Sequence, residues 1–134
     1  MIVLDNSALI EYLTEDSELG RRVRQLLIGQ EIAVPHSIDL ECVSVLRRLV
    51  RHGQLDVDRA TAALELFRQM ALRRYDHVSL LPRIWELRGN MTSYDAAFAA
   101  LAEQLGASLL TVDKKFDKTP GLRCQVLNLR TESD

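Results

Sequence analysis

A chain of 134 residues has the commonest single-domain size, and 47% hydrophobic and 27% charged residues with only three Pro and six Gly exclude a mainly disordered or fibrous protein. A net charge of -2 excludes the broad cationic field of a general DNA binder. The longest apolar runs, "LLTV" and "AAFAALA", fall well short of the ~20 residues of a membrane span, and no charged segment precedes an apolar one at the N-terminus, so a soluble cytoplasmic protein with a single domain over residues 1–134 is expected.

In chain order, Ile2 to Leu4 is a short continuous apolar run ahead of turn-forming residues, which suits a strand buried on both faces. A helix is expected from Ser7, with Ser7 as its N-cap. A second helix follows in "SELGRRVRQLLIGQ", with Leu19, Val23, Leu26 and Leu27 on one face and Gly29 as its stop. "IAV" is a short strand ending at Pro35. From Ile38 to about Arg51 the residues Val43, Leu46, Leu49 and Val50 recur at helical spacing, and Gly53 closes the segment.

Asp56 to Arg73 carries a long helical pattern through Ala60, Ala63, Leu64, Phe67 and Met70. Ser79 to Leu87 is a shorter one with Pro82 in its first turn. Ser93 to Leu105 has a stripe of Tyr94, Ala97, Phe98, Leu101 and Leu105 and stops at Gly106. "SLLTV" and "CQVLNL" complete the pattern as strands. Short strands separated by helices predict an α/β fold with a mainly parallel sheet, because parallel neighbours need helical crossovers. Cys42 and Cys124 are too few and too far apart for a disulfide framework or a metal knuckle and read as buried reduced thiols; His36, His52 and His77 show no ligand spacing.

Ligands of open parallel sheets bind beyond the carboxyl ends of the strands, and Asp5 and Asp113 both stand at such ends. If their strands are neighbours, the two carboxylates share one crevice. Glu41 and Asp95, each in the first turn of a helix, can join them there. Each acid also has a plainer reading: Glu41 favours the positive end of a helix dipole, Thr92 and Asp95 fit a capping box, and an acid between strand and turn is common. The set of four is more informative than its members. Two carboxylates ~4 Å apart repel by roughly 4 kcal/mol at an effective dielectric of ~20, so four gather only around a cation or with proton uptake. Oxygen donors without His or Cys favour Mg2+ or Mn2+ over Zn2+, and such ions suit phosphodiester chemistry.

The stretches "IVLDNSALIEYL", "SIDLECVSVLRR" and "TSYDAAFAALAEQLGASLLTVDKKF" resemble the PIN-domain ribonucleases, in particular the VapC-type toxins of VapBC toxin-antitoxin pairs. The resemblance spans nearly the whole chain. Its most specific part is Thr-x-Tyr-Asp-Ala followed by Leu-Ala-Glu, Leu-Gly and Leu-Leu-Thr-x-Asp in this order and spacing. It implies a PIN-like three-layer α/β/α domain and a Mg2+-dependent endoribonuclease, with Mn2+ as a substitute ion. Asp5, Glu41, Asp95 and Asp113 fall on the family's acidic quartet, with Asp5 and Asp95 as the direct metal ligands and Ser7 orienting Asp5 or a water. Asp117 falls where some members have an additional acid, and equally reads as an exposed turn residue near Pro120. Asn6 stands where the family more often has a small or hydroxyl residue. The resemblance further implies a homodimer, a VapB-type antitoxin that covers the site in a higher hetero-oligomer, and RNA as substrate.

Small basic groups recur at Arg21, Arg22 and Arg24, at Arg47, Arg48 and Arg51, at Arg73 and Arg74, and at Lys114, Lys115 and Lys118. Any one of them reads as a solvated surface, but Lys114 and Lys115 directly follow Asp113 and are the candidates for RNA phosphate contacts. A haloacid dehalogenase-type phosphohydrolase, with Asp5 as nucleophile, competes with the nuclease reading; those enzymes usually carry a second Asp two residues on, where this chain has Ser7. A receiver domain needs a phosphoacceptor Asp on a central strand that residues 50–60 do not offer. An inactive PIN-fold binding module is the remaining alternative, against which all four acids stand.

Overall fold

The computed structural model describes residues 1–14 and 17–130. Five strands, β1 (Ile2–Leu4), β2 (Ile32–Pro35), β3 (Leu72–Tyr75), β4 (Ser108–Thr111) and β5 (Val126–Asn128), form one sheet in the order β3-β2-β1-β4-β5. Every pairing is parallel. Six helices connect them: α1 (Asn6–Thr14), α2 (Glu18–Leu27), α3 (Ile38–Arg51), α4 (Val57–Gln69), α5 (Leu81–Glu86) and α6 (Ser93–Leu105).

The strand order explains the layering. The chain steps from β1 to β2 to β3 in one direction, then reverses to reach β4 on the far side of β1. Right-handed crossovers therefore place α1 to α4 on one face and α5 and α6 on the other, which gives the expected three-layer α/β/α arrangement. The contacts agree: α1 packs on α2, α3 and α4, whereas α5 packs on α6, and α6 lies across β1, β2 and β4. The reversal leaves a switch point between β1 and β4, where the crossover connections diverge and a crevice opens.

The core sits on the central strands. β1 is buried throughout, and Leu109, Leu110 and Thr111 of β4 are fully covered. Helix α6 is buried along the whole run Ala96–Ala102, where five alanines let its backbone approach the sheet closely and Phe98 fills the remaining volume. Its end is set by Gly106, whose φ of 63° lies in the left-handed region that favours glycine.

Several boundaries differ from those read in the sequence. Helix α1 begins at Asn6, one residue before Ser7, and the Asp5 carbonyl accepts its first bond from the Leu9 N–H at 3.0 Å. Ser7 is thus inside the first turn and is not the N-cap. The long pattern from Asp56 to Arg73 divides: α4 stops at Gln69, Met70 turns extended with ψ 139°, and β3 follows. β3 pairs only with β2 and forms an edge of the sheet, where exposed Arg73 and Arg74 are tolerated and no continuous apolar run is needed. No glycine or proline marks the junction, so the helical period hides it.

A 3-10 turn over Val78–Leu80 precedes α5, which carries Pro82 at its start. Leu26, Val43 and Tyr94, which follow the helical stripes in sequence, remain exposed, because each stripe is wider than the surface its helix covers. Cys42 is buried and Cys124 half-buried, both as free thiols; burial pushes the Cys42 thiol up to about 12. No helix among the described residues is long and apolar enough to cross a membrane.

Candidate active site

β1 and β4 are neighbours, with Leu4 opposite Leu110, so the residues just beyond their carboxyl ends face the same crevice. Asp5 leaves β1 with its N–H bonded to the Leu110 carbonyl at 2.9 Å. Asp113 follows β4 and caps a 3-10 turn over Lys114–Phe116, accepting the Lys115 N–H at 2.9 Å. Glu41 comes from the first turn of α3 and Asp95 from the first turn of α6. All four line one cavity of about 630 Å³, together with Asn6, Ser7, Arg48, Lys114, Lys115 and Arg130.

Asp5 is the most enclosed of them, at 3% exposure. Its Oδ2 accepts hydrogen bonds from Ser7 Oγ at 2.6 Å and Thr111 Oγ1 at 2.8 Å. Each hydroxyl has one proton, and both go to the same oxygen. The hydroxyls are themselves held: Ser7 Oγ accepts the Val112 N–H at 3.2 Å, and Thr111 Oγ1 accepts the Asp113 N–H at 3.0 Å. Oδ1 receives no hydrogen bond from the described residues and keeps its lone pairs for the cavity. Burial raises the Asp5 pKa, the two hydroxyls oppose that rise, and the charge of Asp95 reinforces it.

Glu41 accepts a hydrogen bond from Ser37 Oγ at 3.0 Å. Its carboxyl is nevertheless pushed up to about 7, mainly by burial and further by the charges of Asp5 and Asp95. Asp95 serves two ends. Thr92 Oγ1 accepts its backbone N–H at 3.2 Å, so the cap read from the sequence exists. Its side chain, 16% exposed, nevertheless faces the cavity and meets Lys115 Nζ at 2.9 Å. Lys115 Nζ also reaches Asp113 Oδ2 at 3.1 Å. Burial works against the charge of this lysine, but the hydrogen bonds to Asp95 and Asp113 raise its pKa.

The cavity therefore gathers acids and cations together, and one ammonium already bridges two of the acids. Its donors are carboxylate, hydroxyl and amide oxygens, with no His or Cys in the lining, which is the chemistry of a hard divalent ion. In this placement no three such acids among the described residues form a group able to hold a metal ion. The Lys115 ammonium occupies the place of a cation between Asp95 and Asp113, and burial is the main cause of the raised pKa values of Asp5 and Glu41.

Asp117 does not line the cavity. It is exposed, and its Oδ2 accepts a hydrogen bond from Asn128 Nδ2 at 2.7 Å. The same amide donates to the Asp113 carbonyl at 2.9 Å, so Asn128 ties the loop after β4 to β5. Lys114 lines the cavity as an exposed cation. Thr111, Arg48 and Arg130 are contributors that the sequence reading does not single out. Thr111 had a signal, a hydroxyl in an otherwise apolar buried strand. Arg130 donates to the Val112 carbonyl at 2.8 Å from beyond β5, a contact that needs the folded sheet. Asn6 Oδ1 is the one buried side-chain polar atom without a hydrogen-bond partner among the described residues.

Comparison with known proteins agrees with this architecture. The family model for the PIN domain matches residues 2–122. The chain is 39% identical over 126 residues to Ribonuclease VapC9 of Mycobacterium tuberculosis, which covers 94% of this chain and 96% of that protein. It is 34% identical over 129 residues to Ribonuclease VapC1 of the same organism, covering 96% and 97%. Among solved structures, the VapBC2 complex of Rickettsia felis bound to a promoter DNA fragment contains a chain that superimposes with a TM-score of 0.68 at 17% identity, covering 96% of this chain and 98% of that one.

Proposed function

Because the chain belongs to the PIN-domain family and to its VapC ribonucleases, we propose that it is a Mg2+-dependent endoribonuclease, the toxin of a type II toxin-antitoxin pair. The observation that carries this reading is the single cavity between β1 and β4, where Asp5, Glu41, Asp95 and Asp113 arrive from four separate elements. Asp5 and Asp95 would hold the ion, with Glu41 and Asp113 completing the site, and Mn2+ would replace Mg2+ there. The bound ion supplies a nucleophilic water and stabilises charge on the leaving oxygen.

The protein residues prepare that chemistry. Ser7 and Thr111 fix the Asp5 carboxylate from one side and leave Oδ1 toward the cavity. Lys115 keeps Asp95 and Asp113 from repelling one another, and these are the two carboxylates with which a bound ion would compete. Lys114 and Lys115, both in the cavity wall, are the groups that would bind RNA phosphates. Asp117, outside the cavity, takes no part. The chain works as one domain in the cytoplasm, as a homodimer whose site is closed by a VapB-type antitoxin in a larger hetero-oligomer.

The phosphohydrolase alternative is disfavoured by Ser7, whose hydroxyl donates to Asp5 where a general-acid carboxyl would be needed. The test is cleavage of total cellular RNA by protein freed of antitoxin. Discrete fragments in Mg2+ or Mn2+, abolished by EDTA, are expected. Intact RNA under all these conditions, or a phospho-aspartyl adduct trapped at Asp5, would overturn the reading.

A further inference from the structure

A second cavity of about 390 Å³ adjoins the first and shares Asn6, Glu41, Val45 and Arg48 with it. Beyond the shared residues it is lined by Leu40 and Tyr94, which are 77% and 61% exposed. Each of these apolar side chains stands one residue before an acid of the first cavity, Leu40 before Glu41 and Tyr94 before Asp95. The two cavities are thus one continuous groove: a cluster of carboxylates at one end, an aromatic and an aliphatic side chain at the other, and a cation common to both. Arg48 is exposed and forms no ion pair with the described residues, in contrast to Arg74 and Arg83. Asn6, 9% exposed, lies in the wall common to both cavities.

Resting on the ribonuclease reading above, we propose that this second cavity holds one unpaired nucleobase of the RNA, stacked on Tyr94 beside Leu40, adjacent to the phosphodiester that is cut. An unpaired base can leave its stack and lie on an aromatic side chain, whereas a paired one cannot reach it. Arg48 holds the backbone phosphate between the two cavities. The groove therefore selects for a nucleotide that is free to swing out and sets the cleavage position by its distance from the acids.

The test pairs a protein change with an RNA change. Cleavage of total RNA by wild-type protein in Mg2+ locates a cut site, and short single-stranded RNAs spanning it are then made, intact or with an abasic residue at each flanking position in turn. At one position the missing base should lower kcat/KM between about 5-fold and about 100-fold, mostly through KM, as expected for a stacked base. Tyr94→Ala should lower cleavage of the intact RNA by a similar factor and be insensitive to the abasic residue at that same position, while Tyr94→Phe keeps the sensitivity.

Equal losses from Tyr94→Ala on every RNA, or no loss at all, would overturn the proposal and leave the nuclease reading standing. A change of oligomeric state by sedimentation, without coupling to any abasic position, would assign Tyr94 to a protein interface and also overturn it. Wild-type protein that cuts no RNA would overturn both.

Discussion

Helix α6 carries an acid near each end, each with a cationic partner but in different surroundings. Glu103, in its last turn, accepts two hydrogen bonds from Arg83, at 2.7 and 3.1 Å, and a third from the Arg123 N–H at 2.8 Å. Burial works against its ionisation, but these donors outweigh it and hold its pKa below the usual value. Arg83 also binds the Gly121 carbonyl, so this pair fastens α5, α6 and the loop before β5. At the other end, Asp95 pairs only with the half-exposed Lys115, which it shares with Asp113, and lies in one cavity with Asp5 and Glu41, whose pKa values are raised by burial and which have no cationic partner in the hydrogen bonds or ion pairs of the described residues. A fully partnered acid holds the fold together; an acid buried without a matching cation destabilises the fold unless something outside the protein binds it.

This contrast is broken most sharply by neutralising an acid on each side. Asp5→Asn or Asp95→Asn should reduce RNA cleavage by at least about 100-fold, as expected when a residue holding a catalytic ion is lost. For Asp5→Asn the urea midpoint should hold or rise, since a neutral amide is easier to bury than a carboxylate. Glu103→Gln should do the reverse, lowering stability by about 2 kcal/mol while the activity of the folded protein is unchanged. A loss of stability in Asp5→Asn with retained cleavage would invert the assignment.

The pH dependence of the metal-free protein sharpens it further. Glu41 has its folded pKa raised from 4.5 to about 7, so the stability it contributes is fully present below about 4.5 and is lost as pH rises through about 7. Glu103, with a lowered pKa, contributes in the opposite sense, and its share is lost only at low pH. Urea midpoints measured in EDTA should fall between pH 4.5 and 7, and Glu41→Gln should reduce that fall. The smallest expected effect concerns Lys115. Its side chain is 45% exposed, so its competition for Asp95 and Asp113 is modest; Lys115→Met should tighten Mn2+ binding by about 2- to 5-fold while kcat/KM on RNA drops.

The parts of this site that could be read in the sequence are those that declare themselves locally. Asp5 and Asp113 follow short apolar strands, Thr92 and Asp95 form a cap at a helix start, and the stop of α6 is written in Gly106. The neighbouring of β1 and β4 was a condition in that reading, and the sheet order meets it. What escaped depends on distant partners. β3 was hidden because "LRRY" continues a helical period and owes its strand conformation to pairing with β2. Thr111 and Arg130 matter through contacts with residues 106 and 18 positions away, which no local pattern announces. Asp117 reads equally as an additional acid and as an exposed turn residue, and the structure leaves it exposed and bonded to Asn128.

The acids clustered between β1 and β4 are kept for a divalent cation. This role is tested most directly by electron paramagnetic resonance of Mn2+ titrated into the antitoxin-free protein and into the Asp5→Asn, Asp95→Asn double variant. The wild type should remove Mn2+ from the free-ion signal, and the double variant, correctly folded by circular dichroism, should leave that signal intact. Equal binding by the two proteins, or none by the wild type, would contradict it.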